Sequence, residues 1–351
     1  MNNKRSPEYM FICAIILLIG FGTLVMYSAG GFTATMKFQN YAHYLMKHIK
    51  WLMVGGGLYF VASRFKYKNL KFMLPGIIGF TWMIMILAFA LNPTNKPDRW
   101  LIIAGKNWVT TSDVARIMLI VYTAYFLDKY QREISDWTFM LKNYTPIAGL
   151  TLFLILMQPD LSSTFIIGAI IFVMLLIGKA SSRYLTILVT VALLAFSVKI
   201  GTSNYQRARL INWLQPTEEI GDIQQHASKL AMGSGEILGR GPGSSRLKNG
   251  HLPAAHTDFI LAILGEEYGF TGVLVLFILF GVIFHNGIKI LQIAPDRFGL
   301  FLALGIILNL IFYFLINVAY VIGFAPNTGL TMPFVSYGGS NTIFTLGAVG
   351  L

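Results

Sequence analysis

Two runs, Tyr9 to Ser28 and Phe72 to Leu91, contain no charged side chain. A helix needs roughly 17 to 25 such residues to cross about 30 Å of hydrocarbon. A chain built this way folds in a bilayer, where each backbone polar group must be satisfied within a helix or a closed barrel. Tyr184 to Ile200, Phe270 to His285 and Phe298 to Val321 repeat the pattern. Lys47 to Ser63, Ser112 to Leu127, Tyr144 to Met157 and Leu161 to Ile177 are shorter or carry a charge at one end, as helices lining a polar interior do. A last run from near Ser340 stops at Leu351, too short to span. The expectation is an all-α polytopic membrane protein with ten transmembrane helices, the tenth cut short, forming one membrane domain over residues 1–351. Composition agrees: 12% of residues are charged, against about 25% in ordinary globular chains, and mean hydropathy is +0.64.

The net charge of +12 does not indicate nucleic-acid binding, because the basic residues fall in short clusters between apolar runs instead of on one polar face. They read as topology signals. With Lys4 and Arg5 inside, the inside segments carry 13 Lys and Arg and the short outside loops carry 6. This bias places both termini in the cytoplasm and the long loop 201–257 outside. The first run is too long for a signal peptide and lacks a small-residue cleavage pattern. Cys13, the single cysteine, lies inside that run and reads as packing.

Ionisable groups near membrane depth are costly unless they face a wet cavity or a partner. Asp113, Asp160, Asp258, Glu266 and Glu267 are therefore candidates, with Arg99, Arg116, Arg207 and Arg209 on the same outer side. One outward polar cavity would collect them. Asp258, in HTDF, reads either as a helix N-cap or as a reactive carboxylate. At 100° per residue Glu266 and Glu267 stand about 80° and 180° from it, so at most one shares its face. His256 has no second His or Cys at metal-ligand spacing and reads as an interfacial hydrogen-bonding residue. Asp113 and Arg116 have the i, i+3 spacing of a local ion pair, and Gln158-Pro159-Asp160 reads as a turn that caps the next helix. Gly233, Gly235, Gly239, Gly241 and Gly243 fail the dinucleotide spacing and read as a plain flexible loop, the lesser reading being that backbone amides there contact a substrate phosphate. Residues 327–341, rich in Gly and hydroxyls, suit broken backbone lining a cavity.

The stretches DRW (Asp98 to Trp100), TSDVARI, LMQPDLSS, RLINWLQP, HLPAAHTDFILAILGEEYGFTG and GLTMPFVSYGGSN together resemble the SEDS family (shape, elongation, division, sporulation) of peptidoglycan polymerases, in family order over most of the chain. GLTMPFVSYGG and LGEEYG resemble the division branch more than the elongation branch. The resemblance implies a ten-helix membrane fold and a general-base role for Asp258, with Arg99 and Arg116 on the substrate. Asp113, Asp160, Arg207, Arg209, Ser336, Gly338 and Gly339 join them as candidate substrate-binding residues. Members usually carry QPSE with a following Lys where this chain has TTSD and Arg116, which preserves charge type but not fine geometry.

The chemistry itself asks for these groups. A sugar hydroxyl must attack an anomeric carbon while a lipid diphosphate leaves, which needs a carboxylate to take the proton and cations to hold the leaving group. Mg²⁺ or Mn²⁺ bridging phosphate oxygens is an expected helper, and no organic cofactor is expected. The implied partners are lipid II, a class B penicillin-binding protein and other divisome membrane proteins in the bacterial cytoplasmic membrane. Competing readings are a lipid II flippase, an elongation-type polymerase and a scaffold in which Asp258 only caps a helix.

Overall fold

The computed structural model describes residues 7–91, 99–103, 106–214, 223–248, 252 and 254–351. The elements run α1 (Pro7–Phe38), α2 (His43–Arg64), a 3-10 turn (Tyr67–Asn69), α3 (Leu70–Leu91), β1 (Trp100–Ile103), β2 (Lys106–Thr110), α4 (Thr111–Lys129), α5 (Trp137–Asn143), α6 (Thr145–Met157) and α7 (Leu161–Ile177). They continue with α8 (Ser182–Thr202), α9 (Asn204–Leu214), α10 (Ile223–Ser234), α11 (Ile260–Gln292), α12 (Arg297–Val321) and α13 (Gly339–Val349). Among the described residues, five helical segments are long and apolar enough to cross a membrane: α1, Tyr67–Leu91, α8, α11 and α12. The α5–α6 pair, bent by 58°, forms a sixth if it is one broken span. The protein is thus a helical polytopic membrane protein; a count of ten also needs α2, α4, α7 and α13.

Exposure confirms lipid as the solvent of these helices. Phe72 on α3 is 87% exposed and Leu194 on α8 is 62% exposed. In water each such side chain would forgo about 1.5–3 kcal/mol of burial, whereas hydrocarbon imposes no such loss. Cys13 belongs to this outer surface: it is exposed on α1, which corrects its reading as a packing residue.

The chain forms two compact units. One comprises Met1–Met53, Lys199–Ile290 and Ile311–Gly339; the other comprises Val54–Val198, Leu291–Leu310 and Ser340–Leu351. The second is organised on α4, whose side chains are buried almost all round from Ala115 to Leu127. Tyr144 stacks on Tyr122 of that helix at 5.3 Å, and its hydroxyl meets Thr123 Oγ1 at 2.7 Å. In the first unit α11 and α12 are joined by Phe280 stacked on Phe314 at 4.0 Å.

Two features depart from the sequence reading. A small antiparallel hairpin, β1 with β2, stands between α3 and α4, pairing Trp100 with Thr110. The outer loop is not plain coil: it carries α9 and α10, and these serve the end of α12. Gln225 Nε2 donates to the carbonyls of Tyr320 (2.7 Å) and Ala325 (2.8 Å), and Ser228 Oγ donates to that of Val321 (2.7 Å). Carbonyls that a helix C-terminus leaves open are thereby satisfied.

Candidate active site

Asp258 lies in the first unit, on a turn just before α11 and only partly exposed. The amides of Thr257 and Asp258 both donate to Ala254 O at 3.1 Å, which closes the turn. The Asp258 carbonyl accepts from Asn317 Nδ2 at 3.1 Å and from the Tyr320 hydroxyl at 2.6 Å. The same two α12 side chains reach Leu330 O, each at 2.9 Å. The aspartate's backbone is thus held beside that of Leu330 by the same two side chains. A Cβ placed on Gly329 would lie 3.6 Å from both Asp258 Oδ2 and Arg209 Nη2, so an acid and a cation converge there. Arg209 stands on α9 with its guanidinium 4.8 Å over the Tyr205 ring, and Arg207 is exposed on the same helix. The first helical residue of α11 is Ile260, so the cap position falls on Phe259, one residue beyond Asp258.

Glu266 and Glu267, 1% and 0% exposed, both turn away from this site and hold the glycine-rich segment. Glu266 accepts from Ser245 Oγ (2.5 Å) and from the Arg246 amide (3.0 Å). Glu267 Oε1 accepts from Lys248 Nζ (2.7 Å) and from Ser28 Oγ of α1 (2.6 Å). Backbone pairing completes the clamp, because α11 breaks at Gly269 (φ 62°). Arg240 N and Gly241 N donate to the carbonyls of Glu266 and Glu267, each at 3.0 Å, while Phe270 N donates to Glu236 O at 2.9 Å. At Gly239 (φ +80°) a Cβ would come 2.2 Å from Glu267 O, an approach that only glycine permits. The reading of Gly233 to Gly243 as a plain flexible loop is corrected, and both Glu266 and Glu267 are taken up in this clamp.

Ser336 is 1% exposed and occupied within its own turn, accepting from Met332 N at 3.0 Å. Gly338 and Gly339 are close-packing positions, where a Cβ would meet Thr331 Oγ1 at 2.8 Å and Trp51 at 3.0 Å respectively. The Tyr337 amide donates to His256 O at 2.9 Å, tying this stretch to the HTDF turn.

Arg99, Asp113, Arg116 and Asp160 gather in the other unit. Thr111 N donates to Arg99 O at 3.0 Å, so the β1–β2 hairpin sets Arg99 beside the start of α4. Arg99 is half-buried, with Nε lacking a partner among the described residues. Asp160 caps α7, accepting from Ser163 N at 3.2 Å, and also takes the Ser112 hydroxyl at 2.9 Å. Asp113 accepts from Ser340 Oγ at 2.7 Å and pairs with Arg116 at 3.4 Å. Arg116 is fully buried and donates to Asn341 Oδ1 at 2.9 Å. Its geometry is that of an internal tie between α4 and α13. Arg116→Ala is therefore expected to lower stability by roughly 3–5 kcal/mol by stranding a buried carboxylate, while Arg99→Ala leaves the unfolding temperature near wild type. Thermal unfolding of the two purified variants checks this, and equal stability would contradict the tie. Asp98, Lys4, Arg5 and Lys96 lie outside the described residues.

The FtsW/RodA/SpoVE family profile, described as a cell cycle protein, matches residues 8–351. The chain belongs to this family. A probable peptidoglycan glycosyltransferase FtsW of Geobacter sulfurreducens is 33% identical over 358 residues, covering 100% of this chain and 96% of the relative. Stage V sporulation protein E of Bacillus subtilis is 31% identical, covering 100% and 97%. Among solved structures, the rod shape determining protein RodA of Thermus thermophilus superposes with a TM-score of 0.71 at 20% identity, covering 100% of this chain and 96% of that one. A chain described under structural coordination of polymerization and crosslinking by a peptidoglycan synthase complex gives 0.77 at 22% identity, covering 97% and 95%. These two likenesses establish the fold.

The residues that the sequence did not single out are Asn317 and Tyr320, which hold the Asp258 carbonyl, and Ser28, Ser245 and Lys248, which hold Glu266 and Glu267. Asn317 had a visible signal, as an amide inside an otherwise apolar span. Lys248 had none, because its partner Glu267 is known only from the fold.

Proposed function

We propose that this chain is a peptidoglycan glycosyltransferase of the division type, polymerising lipid II at the outer face of the bacterial cytoplasmic membrane. The observation that carries the reading is the convergence of the Asp258 carboxylate and the Arg209 guanidinium beside Gly329, on backbone locked by Asn317 and Tyr320. The acceptor sugar hydroxyl attacks the donor's anomeric carbon, and the bond from that carbon to the diphosphate oxygen breaks. The electron pair leaves with the polyprenyl diphosphate, and the hydroxyl proton passes to Asp258. Arg209 faces the developing negative charge, with Arg207 on the same helix as a further cation for phosphate. Arg116, Asp113 and Asp160 hold the starts of α4, α7 and α13, beside which the hairpin sets Arg99. No three His, Cys, Asp or Glu side chains converge to hold a metal among the described residues. A Mg²⁺ or Mn²⁺ ion would therefore draw most of its ligands from the substrate's phosphate oxygens. A class B penicillin-binding protein that cross-links the new strand is the proposed partner, within a larger set of divisome membrane proteins.

The test of the reading is the purified full-length chain in liposomes with fluorescent lipid II on both leaflets. The expected result is a ladder of glycan polymer. Transfer of lipid II between leaflets with no polymer would instead make the protein a flippase, and neither activity would leave a scaffold.

The proposed orientation rests on the 13 to 6 basic asymmetry. A cysteine at Ser244, which is exposed on the clamped loop, is expected to react with a membrane-impermeant reagent added outside, and one at Ser135 to stay unlabelled. Labelling in the opposite sense would reverse the topology and remove the outer site.

A further inference from the structure

The turn between α1 and α2 carries rings in continuous contact. Phe38 stacks on His43 at 3.8 Å and meets Tyr44 edge-on at 5.9 Å. Tyr44 lies 4.2 Å from His256 and 5.5 Å from Tyr337. Beside them Tyr41 meets Tyr27 edge-on at 5.0 Å. The row begins in the open, with Phe38 45% and Tyr41 42% exposed, and ends at His256, 8% exposed and two residues before Asp258. Lys47 Nζ sits 5.7 Å over the Phe38 ring.

The buried end is unsatisfied. His256 Nδ1 and His43 Nε2 are buried and have no hydrogen-bond partner among the described residues. Burial first, and Lys37 second, push the His256 imidazole down to about 4, so it is neutral at physiological pH and offers one donor and one acceptor. Exposed ring faces beside unsatisfied imidazole nitrogens suit a ligand with apolar C–H faces and hydroxyls at its rim, as a sugar ring has. An acyl chain would leave the nitrogens orphaned. Aromatic residues that only mark the membrane interface need no contact with one another and no link to Asp258.

We propose that the row Phe38, Tyr41, Tyr44 and His256 is a saccharide subsite that holds the polymerised glycan strand next to Asp258. The assignment rests on the polymerase reading for the identity of the sugar. The strand is favoured over the lipid-linked precursor because the exposed rings stand where α1 ends and the chain turns into α2, at the end of a candidate membrane span. Lys37 and Lys47 also complement the carboxylates of a strand's stem peptides.

Binding is measured on the full-length Asp258→Asn protein, which holds ligand without turnover, against soluble uncross-linked peptidoglycan strands and, separately, lipid II. Phe38→Leu and Tyr41→Leu are made singly in that background, so a folding failure in one leaves the other readable. Loss of one ring face is expected to weaken strand binding about tenfold and to leave lipid II binding within about twofold. The same substitutions in the active protein should shorten the glycan product. If wild-type protein makes no polymer yet strand binding still depends on these rings, the subsite stands and the polymerase reading falls. Unchanged strand affinity would reduce the row to an interfacial belt, and an equal loss for lipid II would make it a donor site; either result overturns the proposal.

Discussion

Replacing Lys248 with Met is expected to destabilise the protein by roughly 3–5 kcal/mol, because the partner left behind is a fully buried carboxylate. Lys248 Nζ lies 2.7 Å from each of Glu267 Oε1, Ser28 Oγ and Gly243 O, and Lys248 and Glu267 are 5% and 0% exposed. Without the ammonium, Glu267 keeps, among the described residues, the Ser28 hydroxyl and the Ser245 amide. The double variant Lys248→Met, Glu267→Gln removes the stranded charge and should recover most of the loss. Thermal unfolding of both in one detergent distinguishes the cases: a single variant as stable as wild type would mean that the clamp is idle. The consequence extends to the site, because the clamp closes the base of an excursion in which Asp258 falls ten residues after Lys248 and eight before Glu266.

Asp258→Asn is expected to leave the fold and ligand binding in place while removing a factor of about 10²–10⁴ in rate, the usual cost of losing a positioned general base. The fold is insensitive for two reasons. Asn317 and Tyr320 grip the Asp258 carbonyl, which the substitution does not touch. The helix cap falls on Phe259, so no cap is lost, and even at a cap Asn matches Asp. Unfolding temperature and lipid II affinity close to wild type check the first half of this expectation. A variant that unfolds would instead assign Asp258 a structural role.

The membrane spans were legible because an apolar run of bilayer length has few other uses, and the spacing of Asp113 with Arg116 and of Asp160 with its helix start announced a pair and a cap that the structure contains. Asn341 as the second partner of Arg116 was not legible, since 225 residues separate them and neither shows a local pattern. The hairpin was missed because Trp100 to Thr110 does not alternate apolar with polar residues as a half-buried strand does. The outer loop was misread for a physical reason: glycines at 235 and 239 look like freedom in sequence, yet here they permit backbone contact too close for any side chain. Helical angles do not apply from Asp258, which stands on the turn before α11, and they could not show that Glu266 turns to the loop, because the Ser245 hydroxyl and Arg246 amide that take it come from a segment without local periodicity.

The central claim is that the Asp258 carboxylate accepts the proton of the attacking sugar. Its most direct measurement is the initial rate of polymer formation from fluorescent lipid II by purified wild type and Asp258→Asn at equal protein, in the same lipid and with the same divalent cation present. The expected result is a glycan ladder from wild type and at least about a hundredfold less from Asp258→Asn. Equal ladders from the two would contradict it.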